Sequence, residues 1–415
     1  MTRHSATLAI NERLQARRAA GEKVLHLGFG EAGLPVLPQV GEVLANAVQR
    51  NGYGPVAGSE RVRTAAAGYF TRRGLDTDPE QMLLAPGSKA LLFGLLAALP
   101  GDVVLPRPSW VSYAAQAALV GKNVIGVPVP PKAGGVPDPE QLEARLSDAV
   151  ARGGRPGVLV VTLPDNPTGT VAAPELVARV CEIAERYGLT VISDEIYRDL
   201  RTTEEFRSPA EFLPGQVVIT GGLSKNMALG GYRIGFARLP EREHSSRLRE
   251  ELIGVASEVW SSLAAPMQEV AAWVLDEPEE VTAHIAASRR LHSAVSSAVH
   301  EVFVQAGAVC RAPQGPFYLY PDLEAFRPTL ADRAIGTGHE LAEYLLEEHG
   351  VGVLAGAEFG DDPTALRMRV ATSLLYGDSE AQRWEALRSS DPVSLPWISA
   401  SLEHLREALD ALAKP

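Results

Sequence analysis

The chain has 415 residues, which exceeds the usual size of a single hydrophobic core, so we expect at least two domains. It carries 39 lysine and arginine residues against 51 aspartate and glutamate residues, a net charge of −12 without a long basic run, which argues against nucleic acid or an anionic membrane as a partner. Two cysteines are too few for a disulfide framework, and this favours the reducing cytoplasm.

Four short apolar runs predict the strands of a sheet. Residues 157–163, 189–193, 216–220 and 234–237 are rich in Val, Ile and Leu, as expected of strands that are buried on both faces. A helical pattern at 174–187 lies between the first two runs. This alternation predicts an α/β fold, in which helices flank a mostly parallel sheet.

The domains are expected to interleave along the chain. We assign residues 39–289 to a large domain, and residues 1–38 together with 290–415 to a smaller α+β domain. A long helical pattern at 281–303 could join the two. A polar stretch at 378–396 precedes the closing helix, and we interpret it as a surface excursion, with a cover over the substrate entrance as the alternative.

Five chemically complementary side chains occur in a fixed order in the middle of the chain. They are Asn166, Asp194, Tyr197, Lys225 and Arg233. Each alone is an ordinary residue, but three of them follow predicted strand ends, where ligands bind in parallel sheets. An amide, a carboxylate, a phenol, an amine and a guanidinium are the groups that pyridoxal phosphate requires.

The chemistry of this cofactor gives each group a role. Lys225 would form a Schiff base with the aldehyde and, once displaced, would move protons. Asp194 would keep the ring nitrogen protonated by charge pairing. Asn166 and Tyr197 can donate hydrogen bonds to the ring oxygen, and the Arg233 guanidinium suits the phosphate. The predicted catalytic residues are therefore Lys225, Asp194 and Tyr197.

With these residues in this order, the chain resembles the class I and II aminotransferases, the aspartate aminotransferase group of fold type I pyridoxal phosphate enzymes. The resemblance runs from about Ser5 to Ser373. It implies that further residues bind the cofactor. These are Tyr53, which would reach the phosphate of a partner subunit; Gly87, Ser88 and Lys89 in the phosphate-cradling turn; Trp110, stacked on the ring; and Ser224, whose hydroxyl would contact the phosphate.

The resemblance also implies a substrate-binding set. Asn166 and Gly30 would lie near the substrate, and alignment on residues 371–373 assigns the binding of its α-carboxylate to Arg367. Arg369, two residues away, is a second candidate. The pattern Gly28-x-Gly30-x-x-Gly33 also fits a dinucleotide motif, but residues 34–38 contain two prolines and cannot supply the required helix. We interpret that match as chance.

Three hypotheses follow for the activity. The first is transfer of an amino group between an amino acid and a 2-oxo acid, and the second is another reaction of the same cofactor, such as elimination, replacement, cyclisation or oxidation. Both use the same electron sink, so the motifs do not separate them. The third is a cofactor-binding regulator, which is disfavoured because no basic segment is available to bind DNA. We predict an aminotransferase without a metal site, and a homodimer with shared active sites because of Tyr53.

Overall fold

The computed structural model describes residues 5–414, without the side chains of residues 242–245. The α-helices of this part of the chain are α1 Ala6–Ala19, α2 Pro38–Ala47, α3 Glu60–Thr71, α4 Ser88–Ala98, α5 Val111–Leu119, α6 Pro139–Ala151, α7 Pro174–Arg186, α8 Arg242–Val259, α9 Ala265–Leu275, α10 Glu279–Gln305, α11 Arg327–Ala331, α12 Gly338–His349, α13 Glu380–Arg388 and α14 Pro396–Ala413. Its β-strands are β1 Leu25–His26, β2 Met82–Pro86, β3 Asp102–Arg107, β4 Val124–Pro128, β5 Pro156–Thr162, β6 Thr190–Asp194, β7 Val217–Gly222, β8 Ile234–Arg238, β9 Tyr318–Leu319, β10 Val351–Gly352, β11 Leu354–Ala355 and β12 Met368–Ala371.

A seven-stranded sheet forms the centre of the fold, with strand order β2-β8-β7-β6-β5-β3-β4. Strand β8 runs antiparallel to both of its neighbours, and the other adjacent pairs are parallel. The predicted mostly parallel α/β sheet is therefore confirmed, and all four strands predicted from apolar runs lie in it. The predicted helix at 174–187 is α7, and the long helical pattern at 281–303 is part of α10.

Both faces of the large sheet are buried, because alternate side chains of each strand enter different cores. In β5, Leu159 and Val161 belong to one apolar cluster, whereas Val158 and Val160 belong to the cluster on the opposite face. Successive side chains of a strand point to opposite faces, so a strand covered on both sides must be apolar throughout. This is why the run at 157–163 carries no alternation.

A third apolar core is formed mainly by side chains from the second half of α10 and from the chain after it. It joins Leu25 and Leu27 to residues from Leu291 through Leu412. Two small sheets lie in this part, a parallel pair β1–β10 and an antiparallel sheet in the order β11-β12-β9. The boundaries at 38/39 and 289/290 stay a prediction, and α10 runs through the second of them.

The polar stretch at 378–396 contains helix α13. The Trp384 ring of this helix lies 6.2 Å from the His284 ring of α10, and Asp378 pairs with Arg18 of α1 at 2.9 Å. Within residues 5–414, no helix is both long and apolar enough to cross a membrane.

Candidate active site

One cavity of about 410 Å³ lies where β5, β6 and β7 end. Thr162 and Asp194 are the last residues of β5 and β6 and stand side by side in the sheet register, and Lys225 follows β7 by three residues. The volume falls within the range of small-molecule sites. The predicted site residues that line it are Gly30, Ser88, Lys89, Trp110, Asn166, Asp194, Tyr197, Ser224, Lys225 and Arg233.

Residues 378–396 do not contribute to the lining of this cavity. The interpretation of that stretch as a surface excursion therefore agrees with the structure better than a cover over the entrance does.

Lys225 presents its amine to the cavity. Its Nζ donates a hydrogen bond to the backbone oxygen of Gly30 at 2.5 Å. Burial, together with the nearby positive charge of Arg369, lowers the pKa of Lys225 to about 8. A substantial fraction of the amine is therefore neutral near pH 8, and only the neutral amine is a nucleophile.

Asp194 accepts a hydrogen bond through one carboxylate oxygen, whereas the other oxygen lacks a partner of standard geometry among the described residues. Tyr113 donates to Asp194 Oδ2 at 2.8 Å, and the Tyr113 hydroxyl lies 2.9 Å from Thr162 Oγ1. Oδ1 is buried and has no hydrogen-bond partner of standard geometry among the described residues. Burial raises the pKa of Asp194 to about 6, against hydrogen bonds that lower it. A positive group beside Oδ1 would satisfy this oxygen and restore the charged form.

Asn166 and Tyr197 form the wall next to Asp194. Asn166 Nδ2 donates to Tyr197 Oη at 3.3 Å, and the hydroxyls of Tyr197 and Tyr318 lie 2.8 Å apart. Tyr318 belongs to β9, so this contact joins the large sheet to the three-stranded sheet. A Cβ added to Gly30 would lie 2.1 Å from the Tyr318 hydroxyl, which explains the absence of a side chain at Gly30.

A site suited to an anion forms where α4 begins. Gly87 precedes the helix with φ +89°, and a Cβ at this position would lie 2.3 Å from Arg233 Nη2. The first backbone N–H groups of a helix are unpaired and lie at the positive end of its dipole. Ser88 and Arg233 both line the cavity here, so hydroxyl, guanidinium and helix N-terminus converge.

Lys89 is exposed but borders the same cavity as Trp110. Its Nζ lies 5.2 Å from the centroid of the Trp110 ring, within the range of a cation–π contact. Burial of part of the side chain and the charge of Arg233 lower the pKa of Lys89. The cavity thus has a cation beside an aromatic surface.

Arg367, predicted to bind the substrate carboxylate, lies outside the cavity. Its guanidinium pairs with Asp361 at 3.0 Å and with Asp322 at 3.4 Å. Arg369, the second candidate, lines the cavity and is only 1% exposed. The structure therefore brings the second candidate, Arg369, into the cavity and holds Arg367 outside it between two carboxylates, just before β12 begins.

The guanidinium of Arg369 lies between two aromatic rings, and its terminal N–H groups donate to neutral oxygens. The guanidinium carbon lies 5.0 Å from the Tyr318 ring and 4.9 Å from the Phe359 ring. Its Nη1 and Nη2 donate to Asn166 Oδ1 at 3.2 Å and to the Gly28 oxygen at 2.7 Å. A planar fork held in this way suits a carboxylate.

Tyr53 does not belong to the cavity of its own chain. Its side chain is 96% exposed, the largest fraction among the exposed large apolar residues of the described chain. Its predicted role toward a partner subunit stays a prediction.

The sequence analysis missed several cavity residues, among them Glu31, Tyr113 and Tyr318. Tyr113 had a usable signal, because it follows Trp110 by only three residues, and the two ring centroids lie 5.2 Å apart. The sequence next to Tyr318 contains no such signal. Its position depends on the pairing of β9 with β12, where Tyr318 stands opposite Ala371.

Comparison with known proteins gives one consistent result. The family model "Aminotransferase class I and II" matches residues 22–374. A probable aspartate/prephenate aminotransferase of Thermus aquaticus is 31% identical and covers 86% of this chain and 89% of its own. An aspartate aminotransferase of Geobacillus stearothermophilus is also 31% identical, over 89% and 92% of the two chains. Among solved structures, an aspartate aminotransferase from Thermus thermophilus with maleate has a TM-score of 0.82 at 28% identity, over 98% of this chain and 97% of the other.

Proposed function

The chain belongs to the class I and II aminotransferases, and from this membership we propose that it moves an amino group between an amino acid and a 2-oxo acid with pyridoxal 5′-phosphate attached at Lys225. The observation that carries the proposal is the convergence of Lys225, Asp194, Tyr197 and Arg233 on one cavity. The relatives favour the first of the three hypotheses, transamination.

The residues present fit this cofactor. The buried Asp194 Oδ1 lacks a partner of standard geometry and suits a protonated ring nitrogen. The start of α4 and Arg233 suit the phosphate, and Ser88 and Ser224 add hydroxyl groups. Trp110 offers an aromatic face on the same cavity. When bound, pyridoxal phosphate supplies an electron sink for the substrate's α carbon.

The chain's own residues then perform distinct tasks. Asp194 holds a proton on the ring nitrogen by charge pairing, and Tyr197 and Asn166 donate hydrogen bonds to the ring oxygen. Lys225 Nζ, once free, takes the proton from the substrate's α carbon, and its lowered pKa suits a base near neutral pH. Arg369, in place of Arg367, binds the α-carboxylate and so orients the bond to be broken.

The substrate that we propose is a dicarboxylic amino acid. Arg369 would hold the α-carboxylate, and Lys89 is a second cavity cation for a distal carboxylate. Two relatives are named for aspartate, and the similar solved structure carries maleate, a dicarboxylate. Replacing Lys89 by Met should lower kcat/KM for aspartate by about 10-fold, since a hydrogen bond to a charged group is worth about 1.5–3 kcal/mol. The efficiency with alanine should change little, and an equal loss with both substrates would contradict this role.

Reductive trapping tests the attachment point. The purified protein should absorb as a yellow pyridoxal phosphate protein, and borohydride followed by peptide mapping should fix the cofactor on Lys225. The matched control is Lys225→Ala, which should retain no reducible chromophore. Label on any other lysine of the wild-type chain would contradict the assignment.

We further propose a homodimer in which Tyr53 reaches the phosphate of the partner's site. Its 96% exposure in the single chain leaves the phenol available to a second copy. Mixed dimers with Tyr53→Phe in one subunit and Lys225→Ala in the other provide the test. If Tyr53 crosses the interface, one site carries both lesions and the other neither, so about half of the wild-type activity per dimer should remain. A fully active monomer would refute sharing.

A further inference from the structure

A buried hydrogen bond outside the cavity ties the segment of Lys225 to the segment of Tyr197. Asn226, the residue after Lys225, donates from Nδ2 to Asp199 Oδ2 at 2.8 Å. Asp199 lies in the 3₁₀ turn Arg198–Leu200, which begins directly after Tyr197. Asp199 and Asn226 are 7% and 4% exposed. The bond therefore joins two segments that each present one of the proposed catalytic groups.

Two further side chains, Tyr69 and Arg73, also donate hydrogen bonds to the Asp199 carboxylate. Tyr69, on α3, donates to the same Oδ2 atom at 2.9 Å. Arg73 donates to Oδ1 from Nη2 at 2.9 Å and from Nε at 3.2 Å, and its guanidinium lies 3.5 Å from the Tyr69 ring centroid. Burial alone would raise the pKa of Asp199, but the charge of Arg73 and the hydrogen bonds lower it. Asp199 is thus a charged, immobile acceptor.

The segment that carries Lys225 depends on such support. Between β7 and β8, Ala228 and Arg233 have backbone φ angles of 56° and 53°. Residues other than glycine rarely adopt this left-handed conformation. Such residues persist only where the surrounding structure holds them. Asn226 lies between Lys225 and the first of these positions, so its bond to Asp199 restrains the segment close to the amine.

We propose that Asp199 is a positioning residue, which acts through Asn226 to fix the direction from which Lys225 Nζ enters the cavity. The proposal rests on the proposed function only in giving Lys225 its catalytic role. Asp199 does not line the cavity, so it acts on the reaction through the position of the lysine. Hydrogen bonds from Arg73 and Tyr69 hold the Asp199 carboxylate in place. The bond from Asn226 to this carboxylate then restrains the backbone next to Lys225.

The lysine amine itself can report this restraint. Burial comes first among the causes that lower the pKa of Lys225, and the charged groups that face it are Arg369, Glu31, Arg233 and Asp194. If the bond from Asn226 is lost, the segment can move and the amine gains water. Its pKa should then rise toward the ordinary value of lysine.

The test compares two variants that each remove one hydrogen bond to the same oxygen of Asp199. Asn226→Ala removes the donor linked to Lys225, and Tyr69→Phe removes the donor that is not. In the full chain freed of cofactor, the pH dependence of Lys225 acylation, followed by peptide mapping, gives the pKa of the amine. Asn226→Ala should raise this pKa by at least about half a unit, whereas Tyr69→Phe should leave it within about 0.2 units of wild type.

The holoenzyme gives the second readout. Asn226→Ala should lower kcat about 10-fold and change KM less than about twofold, since a misplaced base affects the chemical step more than binding. Tyr69→Phe should keep kcat within about twofold despite a comparable loss in melting temperature. Equal effects of the two variants on the lysine pKa and on kcat, or no effect of Asn226→Ala, would overturn the proposal.

The proposal can still be tested if Asn226→Ala fails to fold. If Asn226→Ala does not fold, Asn226→Leu removes the same donor with a side chain of similar size, and the pKa of Lys225 should rise by at least about half a unit; an unshifted pKa in a folded Asn226→Leu would count against the proposal. The acylation experiment needs no bound cofactor. Failure of borohydride to trap a cofactor on Lys225 would therefore refute the proposed function, while the titration would still decide the role of Asp199.

Discussion

Replacing Arg369 by Lys provides a sharp test of where the substrate carboxylate binds. Arg369 is 1% exposed, and its Nη1 and Nη2 donate to two neutral oxygens, Asn166 Oδ1 and the backbone oxygen of Gly28. A carboxylate between them would accept two charge-assisted hydrogen bonds. Lysine keeps the charge but lacks the planar fork, so about one of the two bonds should be lost.

The expected magnitude follows from that single bond. A hydrogen bond to a charged group contributes about 1.5–3 kcal/mol, and each 1.4 kcal/mol is tenfold in a rate or affinity ratio. Arg369→Lys should therefore lower kcat/KM by about 10- to 100-fold for every amino acid donor. The assay is the first half-reaction, followed by the absorbance change of the bound cofactor under single-turnover conditions.

Arg367→Lys is the matched control, two residues away. Its guanidinium is about one-third exposed and pairs with Asp361 and Asp322, so a lysine can keep much of that interaction, which is worth about 0–1 kcal/mol at such a site. The efficiency should stay within about twofold of wild type. With a primary amine that has no carboxylate, the penalty of Arg369→Lys should vanish. Equal losses in the two variants, or an undiminished penalty with the amine, would refute the assignment.

Three further outcomes are expected around the same cavity. Asp194→Asn should keep cofactor binding measurable by absorbance yet nearly abolish turnover, because a neutral amide cannot hold the ring nitrogen's proton; near-normal turnover would exclude Asp194 as the ring partner. The rate at which the cofactor-free chain captures pyridoxal phosphate should rise with pH and reach half of its maximum near pH 8, where Lys225 loses its proton; a flat profile would contradict the lowered pKa. Tyr113→Phe removes a hydrogen bond that lowers the pKa of Asp194, so the acidic limb of the kcat profile should move to higher pH, and an unmoved limb would show that Tyr113 does not act on Asp194.

The centre of the site was predictable because it depends on local sequence and one general property of parallel sheets. Apolar runs identify β5, β6 and β7, and the residues after such runs meet at one edge. The structure places Asp194 opposite Thr162 and Thr220 in register, so the predicted strands bring their ends together as expected. Asn166 and Lys225 need no further information, since each follows one of these strands by a few residues.

The arginine that lines the cavity was not predictable in the same way. Arg367 and Arg369 are equivalent by spacing, and the choice between them depends on Asp322 and Asp361, which pair with Arg367. Asp322 is 45 positions away in sequence and reaches Arg367 through a β-bridge. Nothing in the segment around residues 367–373 records that contact, so the sequence alone could not tell which of the two side chains enters the cavity.

The different partners of the two arginines are the reason why we propose that Arg369, and not Arg367, binds the substrate. Arg367 is neutralised by two carboxylates, and a third would have to displace one of them. Arg369 instead donates to Gly28 and Asn166 oxygens, which are neutral, so its charge is oriented but not compensated by those bonds. Burial already lowers the pKa of Arg369, and its stacking between Tyr318 and Phe359 keeps the fork in place. An incoming carboxylate therefore exchanges neutral acceptors for a charged one, which is favourable in a site of low dielectric constant. The fold thus leaves one buried guanidinium ready for an anion beside the amine of Lys225.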